Sequence, residues 1–177
     1  MKLGEELETA RLSLRLPTVD DAPFFLELLN DPDWHRFVND PGVRDLGAAA
    51  DWIESRLLKS YRASGFTFYL TSLKEECTPI GICGLIHRPG LDRPDLGFGF
   101  LPQYRCQGYA QEACLACLQL ARTRFDLPKL YAITQEDNAA SLGLLRKIGF
   151  EDDGLHRMEG EEEPLRRLAI ALPPAAE

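Results

Sequence analysis

The chain has 177 residues, 45% of them hydrophobic, enough for one packed core and short for two domains. Asp and Glu number 28 against 20 Lys and Arg, and the resulting net charge of -8 argues against a nucleic-acid duplex or an anionic membrane as partner and favours a cationic one. No stretch reaches the roughly 18 apolar residues of a membrane span and the start MKLGEELETA has no apolar run, so a cytoplasmic protein is expected.

The first element is RLSLRL, residues 11–16, whose polar–apolar alternation predicts a half-buried strand ending at Pro17. Thr18 and Asp21 have capping-box spacing, and Phe24, Phe25, Leu28 and Leu29 then give a helix an apolar face until NDPDW breaks it at Pro32. A loop is expected from there to Gly42. From Asp45 to about Ser64, Ala49, Trp52, Ile53, Arg56, Leu57 and Tyr61 recur at helical offsets, with Gly65 as the C-terminal stop. FTFYLTSL (66–73) and PIGICGLIH (79–87) read as an antiparallel hairpin around KEECT, and DLGFGFL (95–101) as a further strand.

A third helix is predicted from about Tyr109 to Phe125. Its Cys114 and Cys117 form a C-x-x-C, but both fall on the apolar stripe with Ala113, Leu118 and Ala121, so they read as buried core thiols rather than redox or metal groups. The odd total of five cysteines agrees with reduced thiols. KLYAIT (129–134) follows as a strand; strand, helix, strand predicts a parallel pair with a right-handed crossover. NAASLGLLRKIG makes a fourth helix with Asn138 as N-cap and Gly149 at its end. FEDDGLHRM (150–158) and EPLRRLAIAL (163–172) close the chain as strands around the acidic turn EGEEE, leaving PPAAE as a tail. The order β-α-α-β-β-β-α-β-α-β-β is α+β: a mixed sheet flanked by helices in one domain over residues 1–177, with its core at about 9–172. GFGF at 97–100 does not make a dinucleotide site, because no G-x-G-x-x-G joins a strand to a helix.

One segment carries chemistry. PQYRCQGYAQEA sets Arg105, Gly108 and Ala110 at R-x-x-G-x-A between a strand and a helix. Open backbone running into a helix N-terminus suits a phosphate, because unpaired N–H groups and the positive end of the helix dipole converge there. Gly108 permits close approach, and Ala110 is small.

With TARLSLRLPTVDDAPFFLELLNDPDW before this motif and NAASLGLLRKIGFEDDGLHR after it, nearly the whole chain resembles the GNAT superfamily of acyl-CoA-dependent N-acyltransferases, and within it the Rim-type group of ribosomal-protein N-terminal acetyltransferases. That family's pyrophosphate loop, Q/R-x-x-G-x-G/A, maps onto Arg105, Gly108 and Ala110. The resemblance implies acetyl-CoA as co-substrate, bound through Arg105, Cys106, Gln107, Gly108, Tyr109 and Ala110, with Cys106 standing where relatives commonly have glycine. It also implies that the parallel central strands splay and hold the pantetheine arm between them.

Within this frame the implied activity is transfer of an acetyl group to a primary amine, a protein N-terminus or a small cationic amine, by direct attack in a ternary complex. The N–H of Leu101 is a candidate to polarise the thioester carbonyl, with ordinary ladder pairing as its other reading. Ser141 is the candidate general acid for the leaving thiolate and Asn138 a candidate to hold the pantetheine arm; by themselves the two also read as a helix cap and a first-turn residue. Asp95 and Glu136 are the carboxylates nearest the chemistry in sequence, and Glu136, in the loop before Asn138, is the candidate general base. His35, His87 and His156 match no ligand spacing and read as structural or surface residues, and no metal is expected. The acidic turn reads as solvated. A monomer or homodimer is expected, acting on a small-molecule or peptide amine. The alternative to an enzyme is an acyl-CoA-binding module without turnover, serving as a sensor or interaction protein.

Overall fold

The structure is a computed structural model that describes residues 6–160 and 162–173. Eight strands form one sheet: β1 (Leu7–Glu8), β2 (Leu12–Arg15), β3 (Phe68–Leu73), β4 (Pro79–Ile86), β5 (Asp95–Phe100), β6 (Lys129–Thr134), β7 (Glu151–His156) and β8 (Leu165–Ala171). Their order across the sheet is β1-β2-β3-β4-β5-β6-β8-β7. All neighbours are antiparallel except β5 and β6, which are parallel. This is the α+β architecture expected from the sequence. It adds β1, whose two residues are too few to show alternation; the proposed C-terminal tail falls mostly outside the described residues.

β5 and β6 share one rung, Asp95 opposite Tyr131, with the Tyr131 N–H donating to the Pro94 carbonyl at 3.0 Å. From there the two strands diverge. Parallel strands that pair only at their starts leave a wedge widening toward both C-terminal ends, and that wedge positions the site.

The helices are α1 (Ala22–Leu29), α2 (Pro32–Phe37), α3 (Leu46–Trp52), α4 (Lys59–Ser64), α5 (Tyr109–Thr123) and α6 (Ala139–Lys147). Pro32 ends the first helical run but also opens α2 within the expected loop: with no N–H to lose, proline fits a first helical position. The expected helix from Asp45 to Ser64 is continuous but changes pitch, with a π turn over Ile53–Leu58 joining α3 to α4 and Gly65 closing it at φ +76°. The Thr67 hydroxyl donates to the Leu57 carbonyl at 2.9 Å, supplying a partner within the π turn from outside the helix.

Each face of the sheet carries its own core. On one, α5 packs Ala113, Cys114, Cys117 and Ala121 against Leu12, Cys83, Leu96 and Phe100. On the other, α1, α2 and α3 pack Phe25, Leu28, Trp34 and Ala49 against Leu70, Ile82 and Leu101. The Cys83, Cys114 and Cys117 thiols are buried, and burial pushes the Cys83 thiol well above the ordinary thiol range, as the thiol contact with Cys83 does for Cys117; they behave as core groups. Among the described residues no helix is long and apolar enough to cross a membrane.

Candidate active site

The wedge between β5 and β6 opens into a cleft of about 680 Å³. One wall comes from α2 and the helix with the π turn, through Trp34, Phe37, Trp52 and Arg56. The floor is β5 at Leu96, Gly97 and Phe98, and the opposite wall is the end of β6 with Asn138 and Ser141 of α6.

At the C-terminal end of β5 the chain enters a short 3-10 turn, Pro102–Tyr104, and then the loop to α5. None of the backbone N–H groups from Cys106 to Ala110 donates to an acceptor among the described residues, so the start of α5 presents unsatisfied donors to solvent. Gly108 is the N-cap, held at φ +82° and ψ -1°, a left-handed conformation that costs glycine nothing. Cys106 takes φ +59°, so a residue with a Cβ occupies a position suited to glycine.

Arg105 is part of the motif, but its side chain is committed elsewhere. Its Nε donates to the Phe100 carbonyl at 2.9 Å, and its two terminal nitrogens pair with Asp31 and Asp33 of the α2 start. It fastens the loop to the neighbouring helix rather than offering its charge to a phosphate. A second fastening, which the sequence gives no signal for, comes from Arg11. Glu112 in the first turn of α5 accepts from the Thr9 hydroxyl at 2.6 Å, the Arg11 backbone N–H at 2.8 Å and Arg11 Nε at 2.7 Å. Despite the cost of burial, these donors hold the Glu112 carboxyl below its ordinary value. So anchored, Arg11 donates to the Gln107 carbonyl at 3.1 Å and lies over the Tyr109 ring at 4.4 Å. The carbonyl side of the loop is thereby occupied and its N–H side left open.

Across the cleft, Asn138 caps α6 by accepting from the Ser141 N–H at 3.1 Å, which leaves its amide nitrogen unengaged among the described residues. The Ser141 hydroxyl makes no hydrogen bond among the described residues and lines the cleft.

Two sequence candidates lie elsewhere. The Leu101 N–H donates to the Ile80 carbonyl at 3.0 Å, so ladder pairing is the reading that stands for it. Strand alternation then turns the Gly97 and Gly99 N–H groups toward β4 as well, and those of Phe98 and Phe100 into the wedge. Glu136 is bridged to Arg166 and borders a smaller cleft with Gln135, Asp137, Glu162 and Glu163, not the wedge. Gly160, Glu162 and Glu163 of the acidic turn line that second cleft; residue 161 is outside the described residues.

His87, read from the sequence as structural or surface, and Asp95, the carboxylate passed over for Glu136, do border the wedge. His87, immediately after β4, lines the cleft beside Arg88. Asp95 sits at the apex, its side chain only 1% exposed and 2.9 Å from Arg88 Nε. Burial pushes its carboxyl up to about 6, with Arg88 and then His87 pulling the other way.

A model of the acetyltransferase (GNAT) domain matches residues 11–151. The uncharacterized N-acetyltransferase p20 of Bacillus licheniformis is 27% identical over 86% of this chain and 86% of its own. Among solved structures, an acetyltransferase from Agrobacterium tumefaciens superposes with a TM-score of 0.78 at 26% identity, covering 92% of this chain and 93% of that one. The RimL ribosomal L7/L12 α-N-protein acetyltransferase in complex with coenzyme A superposes with a TM-score of 0.81 at 15% identity, over 95% and 98% of the two chains.

Proposed function

The chain belongs to the GNAT acetyltransferase family, and on that premise we propose that it acetylates a primary amine, of a small molecule or a protein N-terminus, by direct attack on acetyl-CoA in a ternary complex. Acetyl-CoA is the co-substrate, in keeping with the coenzyme A bound in the RimL complex. The observation that carries the reading is a run of open groups from the C-terminal end of β5 into the wedge: the unpaired N–H groups before α5, the Phe98 N–H on the floor of the cleft, and the unbonded Ser141 hydroxyl on its far wall.

In this reading the pyrophosphate sits on the N–H groups from Cys106 to Ala110, and the pantetheine arm enters the wedge as an extra strand against β5. Its thioester carbonyl meets a β5 N–H, that of Phe98 in place of the engaged Leu101. The amine lone pair adds to the thioester carbon, and the oxygen charge that develops is stabilised by that N–H. Collapse forms the amide and expels the thiolate. Ser141 donates a hydrogen bond or a proton to the departing sulfur, and the Asn138 amide nitrogen steadies the arm. The amine's proton leaves to the solvent side. Glu136, bridged to Arg166, is poorly placed to take it, whereas the His87 imidazole borders the cleft and is the proton acceptor of this proposal. A cytoplasmic location accompanies the reading.

The test is thiol release from acetyl-CoA across a panel of primary amines, for the native protein and for Ser141→Ala. Loss of kcat at saturating acceptor, with acetyl-CoA affinity retained, is the expected result. Full kcat in the variant removes the general-acid role, and affinity loss alone makes Ser141 a residue that positions the cofactor.

A further inference from the structure

GFGF at 97–100 makes no dinucleotide site, but its two glycines shape the cleft in another way. Gly97 shares a rung with Gly84 of β4 and Phe68 of β3, so two of the three positions carry no side chain and the Phe68 ring reaches across to β5. A Cβ on Gly97 would come within 2.7 Å of that ring, and a Cβ on Gly99 within 2.7 Å of the Trp34 ring. Leu96 and Phe100 point to the α5 side, so by alternation both glycines face the side of α1, α2 and α3. There the surface of β5 is made of rings that β3 and α2 contribute.

The Phe68 ring belongs to a larger apolar surface left open in this half of the cleft. Phe37, Trp52, Phe68 and Ile86 line it only half-buried, and Val38 is 48% exposed. Apolar side chains gathered in a concavity and left facing water favour an apolar occupant. The polar side chains among them are already committed. The Thr67 hydroxyl donates to the Leu57 carbonyl at 2.9 Å and the Ser60 hydroxyl to the Phe66 carbonyl at 3.0 Å. Arg88 is paired with Asp95 at 2.9 Å, and Asp40 with Arg44 at 2.5 Å. Arg56 and His87 line the cleft as well, but both are exposed and keep their contact with water. A ligand rich in hydroxyls, or one carrying a second ammonium, would therefore leave water here without gaining partners.

We infer that the acceptor is a small primary amine with an uncharged apolar body, aryl or branched alkyl, which packs against Phe37, Trp52 and Phe68. The net charge of -8 draws amines toward the chain in general, whereas the choice among them is made by these rings. Part of the cleft of about 680 Å³ is needed for the thioester end of the cofactor, and the remainder suits a small molecule. A peptide N-terminus would bring peptide groups that also lack partners. The amine end rests on the acetyl-transfer reading; the apolar half of the cleft does not.

The test measures kcat/KM by thiol release for alkyl and aryl primary amines, each compared with the same chain ending in a hydroxyl or a second amine. Every methylene added to the apolar chain raises kcat/KM about fourfold until the cleft is full, while the polar-ended analogues gain nothing. Phe68→Ala and Phe37→Ala each flatten this dependence through acceptor KM and leave the acetyl-CoA KM unchanged; a defect in folding would instead lower every amine by one factor. Hydroxyl-ended, doubly charged or peptide acceptors that match the apolar amines, or a chain-length dependence that survives both substitutions, overturn the inference and leave acetyl transfer standing. Calorimetry with the acetamides of the same amines, in the presence of coenzyme A, reads the apolar half without turnover. Binding that tightens with the apolar body, carries a negative heat-capacity change and weakens in Phe68→Ala supports the inference even if no amine is acetylated. Acetamides that bind without regard to the body, or not at all, sink it.

Discussion

Replacing Asp95 by Asn exchanges a buried acid for a neutral group of the same shape at the point where β5 and β6 part. In the folded protein the Asp95 carboxyl is raised from 3.8 to about 6, burial outweighing the attraction of Arg88 and His87. Between those two values the native state holds a proton that the unfolded chain has already released. Stability contributed by this group is therefore greatest below the lower value, falls as pH rises through the window, and levels off above about 6. The interval corresponds to about 3 kcal/mol, lost on going from acid to neutral pH. Asp95→Asn has no proton to lose, so the variant should match the native protein near pH ~4 and exceed it by up to about 3 kcal/mol at pH ~7. Urea unfolding followed by the fluorescence of Trp34 and Trp52 at stepped pH measures the difference, since titrating groups that do not interact with Asp95 cancel between the two proteins. A difference that stays flat across the window would refute the burial argument. A variant that loses ground as pH rises would show that the Asp95–Arg88 pair outweighs desolvation.

Thr67→Val deletes the hydroxyl that satisfies the Leu57 carbonyl while keeping the side-chain shape. The cost is about 1–3 kcal/mol, or about 2–4 °C in Tm for each kcal/mol. As the π turn relaxes, acceptor KM should rise with it; an unchanged melting curve contradicts the role given to Thr67. The loop proposed for the pyrophosphate offers an opposed pair. Gly108→Val forces a β-branched residue to φ +82° with its Cβ about 3.2 Å from Arg11 Nη2, so acetyl-CoA affinity measured by calorimetry should fall about tenfold or more. Cys106→Gly relieves the φ of +59° and should gain up to about 1 kcal/mol of stability with affinity retained. If the glycine variant is the less stable of the two proteins, Cys106 is not strained as described.

By itself, the amino-acid sequence determined most of the list of elements and singled out the candidate cofactor loop. Alternation along RLSLRL and KLYAIT, the apolar stripe through Cys114 and Cys117, and the glycine ahead of α5 are local patterns with periods of two and about 3.6, and local backbone physics enforces them wherever the chain goes. The same locality explains what was missed near the site. A two-residue β1 is too short to show a period, and Pro32 fits a helix start as well as a helix stop. Which groups face the cleft was decided by docking alone. Arg105 meets Asp31 and Asp33 more than seventy positions away, and Arg11 meets Glu112 across about a hundred, so neither commitment has a sequence signature. Register does the same for the backbone: the bond from Leu101 to Ile80 sets which alternate β5 N–H groups open into the wedge. Glu136 is drawn away by Arg166, thirty residues on, and His87 and Arg56 enter the cleft because two distant elements close around it. Charges and hydrogen-bond donors are free to act only where the completed fold has left them without an internal partner, and that is a property of the whole packing rather than of any stretch of chain.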